Sequence, residues 1–236
     1  MYFIIRNFAH GFQKKAILTM KKKLVIFDLD GTLLNTIDDL AESANHALLA
    51  LNFPTHDAAT IRSFVGNGIS KLLERALPEE ARSEENLMRM RNEFIPYYDA
   101  HNADFSTPYS GITELLTCLQ QQGIALAVAS NKYQAATQKL VAHYFPNIRF
   151  VKVSGQKPEI PIKPDPAIVF DIIEETEFAK DEVLYVGDSG VDMQTALNAG
   201  IDAVGVSWGF RTKQELASYS PVGIIDNAED LLKFIE

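Results

Sequence analysis

From residue 111 onward the chain alternates apolar runs with helical periodicities, an order that leaves few folds open to it. Residues 111–122 carry helical periodicity, 124–129 (IALAVA) form an apolar run, 132–143 are helical and 148–153 strand-like. Helix returns at 166–176, strand at 183–186 (VLYV), helix at 191–199 and strand at 201–206. Parallel strands need helix-length crossovers, so this order predicts a parallel sheet with helices on both faces. An earlier apolar run, 24–27 (LVIF), supplies a first strand.

Residues 37–104 break the rhythm. Thr36 stands where it can cap a helix over 37–51, with Asp38 and Asp39 favourable in the first turn and Leu40, Ala44, Ala47 and Leu51 on one side. Two or three more helices follow, separated by Pro54, the Gly66-Asn67-Gly68 turn and Pro78, with Pro96 inside the longest. The block carries no strand pattern. The expected architecture is therefore α/β: a Rossmann-like parallel-sheet core over 20–36 and 105–236, with an all-helical domain inserted at 37–104.

A chain of 236 residues can bury a substantial core. Its net charge of -9 provides no broad positive field for nucleic acid or an anionic membrane, so any phosphate site must be built locally. The one cysteine, Cys118, cannot form an internal disulfide, which fits a reducing cytosol. No stretch approaches the roughly 18 apolar residues of a membrane span, and a cytoplasmic protein is expected. Residues 1–19 read as an extension: the apolar run 2–5 is short, is broken by Arg6 and has no small-residue cleavage site behind it. Met20, followed by three lysines, resembles an alternative start, and the extension is expected to be dispensable.

Ligands of open parallel sheets bind beyond the carboxyl ends of the strands. Three apolar runs here end in polar chemistry: the first at Asp28 and Asp30 of DLDGT, the second at Ser130, a later one at Asp188 in VLYVGDSGVD, with Asp192 four residues on. If the backbone stays extended across Asp28-Leu29-Asp30, the two carboxylates share a side, so either one is protonated or a cation sits between them. With Asp188 and Asp192 they make an expected four-carboxylate, all-oxygen cluster that suits Mg²⁺ better than zinc. A calcium loop fits less well, since glycine comes fourth and position twelve is Asp39. Ser130 reads either as half of a phosphate cradle at a helix start or as an ordinary helix cap. Lys163 lies between Pro161, Pro164 and Pro166, which restrict the direction of its ammonium group.

DLDGT, a serine after an apolar strand, a lysine in a proline-bound loop and GDSGVD, in that order, resemble the signature of the haloacid dehalogenase-like superfamily, and the resemblance runs from Leu24 nearly to the end. The insertion is similar to that family's small helical C1-type cap. The resemblance implies that Asp28 attacks phosphorus and that Asp30 first protonates the leaving alkoxide and then activates water. It implies Mg²⁺ held by the Asp28 side chain, the Asp30 backbone carbonyl and Asp188, with Asp192 orienting that shell. Ser130 and Lys163 would bind phosphoryl oxygens, assisted by backbone amides near Leu29 and Asn131. Because Asp30 is present, transfer at phosphorus is favoured over dehalogenation, and Lys71 as the only cap lysine argues against phosphonate cleavage.

The segments 61–77 (IRSFVGNGISKLLERAL), PYSG, SNK and GVSWGFR are similar to phosphoglycolate phosphatases. The resemblance therefore implies a phosphatase for a small phosphorylated metabolite, with 2-phosphoglycolate as the single best substrate. A mutase of the β-phosphoglucomutase kind and a non-catalytic binding protein are the rivals. Within the cap, Gly66, Asn67 and Gly68 let backbone amides approach a substrate, and Arg62 or Lys71 would receive its carboxylate; the rival reading is a helix–turn–helix with solvated basic residues. Trp208 reads as packing and Arg211 as surface. Hinges are expected at 35–37 and 105–110.

Overall fold

Strand β1 (Leu24–Phe27) is buried along its whole length because it lies mid-sheet, with β4 (Ala125–Tyr133) on one side and β6 (Val183–Gly187) on the other. The computed structural model describes residues 21–235. Its main sheet is parallel, in the order β5-β4-β1-β6-β7-β8, where β5 is Phe150–Gln156, β7 Asp202–Val206 and β8 Gly223–Ile225. The chain builds outward from β1 through β4 to β5, then returns to β6 and continues the other way. Strand order thus reverses beside β1, and a crevice opens at the carboxyl ends of β1, β4 and β6.

Period-two alternation sorts the strand residues onto two faces. Val25, Phe27, Leu126, Val128, Leu184 and Val186 pack against α5 (Ile112–Gln121), α6 (Gln134–Tyr144) and a C-terminal 3-10 helix (Ala228–Phe234). Leu24, Ile26, Ala127, Ala129, Val183 and Tyr185 meet α7 (Ala167–Thr176), α8 (Gly190–Ala199) and α9 (Lys213–Ala217) on the other face.

Between the two crossings of the chain, helices α1 (Ile37–Ala50), α2 (Ala58–Phe64), α3 (Gly68–Ala76) and α4 (Glu84–His101) gather around their own apolar cluster, including Leu40, Ala44, Leu48, Leu72, Leu73, Phe94 and Tyr98. Pro96 lies inside α4. The crossings themselves are joined by a short antiparallel pair, β2 (Leu34–Asn35) with β3 (Thr107–Pro108). Neither this pair nor β8 carries a legible sequence pattern, since two or three residues cannot display a period.

Two local expectations change. Thr36 occupies the cap position of α1, but its hydroxyl makes no capping bond; it donates to Asp30 Oδ1 at 2.7 Å instead. Asp39 is not simply a favourable first-turn charge. Buried, it accepts from the Phe105 and Ser106 amides at 2.9 and 2.8 Å and from the Ser106 hydroxyl at 2.5 Å, joining α1 to the second crossing. Asp39→Ala is expected to cost about 3 kcal/mol, because it strands buried amides that now meet a charged acceptor. Urea denaturation measures this, and an unchanged midpoint would deny the clamp any role.

The expected dispensability of residues 1–19 lies outside the described residues. Within them no helix is long and apolar enough to cross a membrane.

Candidate active site

β1 delivers Asp28 directly into the crevice, and the polypeptide then turns sharply at Gly31, whose φ of 88° excludes a side chain without strain. Asp28, Asp30, Ser130, Asn131, Lys132, Lys163, Asp188 and Asp192 all line one cavity that opens to solvent. Its roof comes from the inserted segment: Leu40, Ile69, Leu72, Phe94 and Tyr98 on helices, and Val65 and Gly66 in the turn between α2 and α3.

Oxygen atoms of Asp28, Asp188 and Asp192 lie within 4.8 Å of one another. Asp30 is not in this group, so the expected four-carboxylate cluster is a cluster of three. The strand ends at Phe27, and the Asp30 side chain is held elsewhere, by Thr36 on Oδ1 and by the Lys132 ammonium group 3.1 Å from Oδ2. The two aspartates of DLDGT therefore have different partners.

Lys163, 2 % exposed, contacts Asp28 Oδ1 at 2.9 Å and Asp192 Oδ1 at 2.7 Å, and also meets the Ala129 carbonyl and the Tyr185 hydroxyl. The Asn131 side chain fixes its backbone: Oδ1 accepts from the Lys163 amide at 2.8 Å, and Nδ2 donates to the Lys163 carbonyl at 3.1 Å and to the Gly66 carbonyl of the insertion at 3.0 Å. Asn131 is thus a bracket for the lysine loop as well as a cavity residue. Asp192 Oδ2 accepts from the Ser189 amide and hydroxyl in a capping box at the start of α8, which leaves Oδ1 for Lys163.

Asp188 accepts from the Phe210 amide at 2.6 Å. Its seat needs two glycines, since a Cβ at Gly31 would lie 2.4 Å from Asp188 Oδ2 and one at Gly209 2.3 Å from its Cβ.

Burial pushes the Asp28 carboxyl up to about 7; adjacent Lys163 pulls it down, and the charges of Asp192 and Asp30 raise it again. Asp188 is raised well above the usual carboxylate range, first by burial and then by Asp192 and Asp28. Burial alone would lower Lys163, but the Asp192 and Asp28 carboxylates outweigh it and hold the ammonium charged. One ammonium cannot balance three clustered carboxyls in a low-dielectric site, so Asp28 and Asp188 are held toward their protonated forms unless a cation joins them. An all-oxygen donor set in that state fits a hard dication.

Other expectations shift. Helix α6 begins at Gln134, so Ser130 is neither a helix cap nor beside a helix start; it lies inside the buried stretch of β4, which continues through Lys132, with the Lys132 amide donating to its hydroxyl at 3.2 Å. Gly66 and Gly68 line the cavity, whereas Arg62 and Lys71 do not. Lys71 is exposed and pairs with Glu74 on its own helix, and Arg62 packs over the Phe210 ring. Asn67 lies between the two glycines and accepts from Arg75. Arg211 is no plain surface residue: it lines the cavity and donates to the carbonyls of Arg62, Ser63 and Val65, tying core to insertion. Trp208 donates to the Thr32 carbonyl at 3.1 Å, bracing the DLDGT turn.

Lys132 was not legible as a site residue. Its ammonium reaches both Asp30 and the Tyr98 hydroxyl of α4, the latter at 2.7 Å. A lysine three residues past the apolar run that ends at Ala129, still within the extended strand, was the available signal.

The family model described as haloacid dehalogenase-like hydrolase matches residues 25–206. The chain belongs to that family. A phosphoglycolate phosphatase of Mesorhizobium japonicum is 32% identical over 90% of this chain and 94% of its own length, and one of Mannheimia succiniciproducens is 32% identical over 90% and 98%. A solved structure described as a candidate phosphoglycolate phosphatase from Lactobacillus delbrueckii superposes with a TM-score of 0.86 at 33% identity, covering 92% of this chain and 99% of that one. The family match and these relatives together make this haloacid dehalogenase-like hydrolase a phosphoglycolate phosphatase-like phosphoric monoester hydrolase.

Proposed function

We propose that the enzyme hydrolyses a small phosphomonoester, 2-phosphoglycolate in the first instance, through a phosphorylated Asp28. The observation that carries this reading is the separation of two carboxylates two residues apart: Asp28 against Lys163 in the acidic cluster, Asp30 on Thr36 and Lys132. Such different environments suit different roles. An Asp28 oxygen attacks phosphorus in line, forming the aspartyl-phosphate bond as the ester P–O bond breaks, and Asp30 supplies the proton to the departing oxygen. Asp30, now a carboxylate, takes a proton from water, whose oxygen attacks phosphorus and releases phosphate while restoring Asp28.

Ser130 and Lys163 bind the transferring oxygens, with backbone amides near Leu29 and Asn131 assisting. Asp28, Asp188 and the Asp30 carbonyl would hold Mg²⁺, with Asp192 steadying the arrangement. When bound, the ion neutralises charge on the phosphoryl group and the carboxylates. Residues 37–104 act as the cap: closed, they exclude water and limit substrate size; open, they release product. The substrate assignment is supported by phosphoglycolate phosphatases about 32% identical over most of the chain.

The test is phosphate release from a panel of small esters with and without Mg²⁺, including sugar phosphates and a folded phosphoprotein. Mg²⁺-dependent release, best with 2-phosphoglycolate and poor with the phosphoprotein, is expected. Isomerised sugar without free phosphate would instead identify a mutase.

A further inference from the structure

Three cations line the cavity among the described residues, and two are already committed. Lys163 is surrounded by Asp28, Asp192, the Ala129 carbonyl and the Tyr185 hydroxyl. Arg211 gives its guanidinium to three carbonyls of the cap. Lys132 differs. Its side chain is 4 % exposed, and its ammonium lies 4.6 Å from the centre of the Tyr98 ring, 2.7 Å from the Tyr98 hydroxyl and 3.1 Å from Asp30 Oδ2. An ammonium has three N–H donors, and two partners account for two of them. The third is left to a cavity that this lysine lines.

Position decides what that donor meets. Asp30 serves the departing ester oxygen in the reading above, on which this inference rests. Whatever that oxygen carries lies close to Asp30 and hence to Lys132. A desolvated ammonium gains far more from an anion than from a neutral hydroxyl, because charge-assisted bonds in a water-poor site are the strong ones.

We infer that Lys132, seated by Tyr98, is the residue that selects an anionic leaving group, a carboxylate one carbon from the ester oxygen. The substrate class is then the phosphate esters of short hydroxy acids. Arg62 and Lys71 take no part. Because Tyr98 belongs to α4, this selectivity exists only while the cap is shut.

The experiment compares kcat/KM of the full chain with Mg²⁺ for 2-phosphoglycolate and for 2-hydroxyethyl phosphate, which replaces the carboxylate by a neutral CH₂OH. The native enzyme is expected to prefer 2-phosphoglycolate. Lys132→Met should lower that preference roughly 10- to 100-fold, the range of one charge-assisted bond, chiefly through KM for the carboxylate ester. Tyr98→Phe keeps the ring, serves if the first variant fails to fold, and should lower the preference roughly 3- to 10-fold. An unchanged preference in the folded variants, even with both rates reduced, would mean that Lys132 serves Asp30 alone and would overturn the inference. A native enzyme that cleaves both esters equally also overturns it while leaving the phosphatase intact; one that cleaves neither removes the phosphatase reading itself.

Discussion

Asp28→Asn is expected to lower turnover by at least about 10⁴-fold while leaving the protein folded, since an amide oxygen still accepts from Lys163 but cannot form the acyl-phosphate. Stability should move in the opposite direction to activity. In the metal-free protein the folded-state Asp28 carboxyl titrates near 7, above its ordinary value of 3.8, because of burial. The native state therefore binds more protons than the unfolded state across that window, and this group's contribution to stability falls as pH rises from about 4 to about 7. Asn cannot ionise, so the variant should lose that part of the slope and be the more stable protein at pH 8 without Mg²⁺. Urea unfolding at several pH values, beside a phosphate-release assay, checks both halves. Undiminished hydrolysis would remove Asp28 from the proposed role.

Lys163→Met carries the largest expected effect on stability. Lys163 is 2 % exposed and is the ammonium that contacts both Asp28 and Asp192. Removing one partner of a buried ionic group leaves the others uncompensated, and a loss of about 3–5 kcal/mol is expected without Mg²⁺. Activity should fall as well, since a phosphoryl oxygen loses its cation. Asp192→Asn in the same chain should recover part of the stability, because one stranded charge is gone. Denaturant titration of the single and double variants reads this coupling; strictly additive losses would show that Lys163 and Asp192 act independently.

Much of the core was legible because a parallel sheet converts sequence order into spatial convergence. Asp28, Ser130 and Asp188 each follow an apolar run, and such runs end at the same rim, so residues more than 100 positions apart meet without any local signal joining them. Lys163 was legible by its place among prolines and by its order among the motifs, and the bracket that holds it, the Asn131 side chain, was not.

The cap was less legible. Arg62 and Lys71 flank the glycine turn in sequence, but helical direction takes both away from the cavity, and Lys71 finds its counter-charge at i+3. Asp39 looked like a helix-start charge because nothing in its neighbourhood announces Phe105 and Ser106.

Sequence alone determined the sheet with its inserted helices and the acidic rim, because hydrophobic period and strand-end chemistry are local properties of the chain. Tertiary structure alone decided that Asp30 leaves the acidic cluster, that Lys132 and Arg211 rather than Arg62 and Lys71 border the cavity, and that Asp39 joins the two crossings. Each of those outcomes is settled by side chains meeting in space, most of them across long sequence separations, where no periodicity reaches.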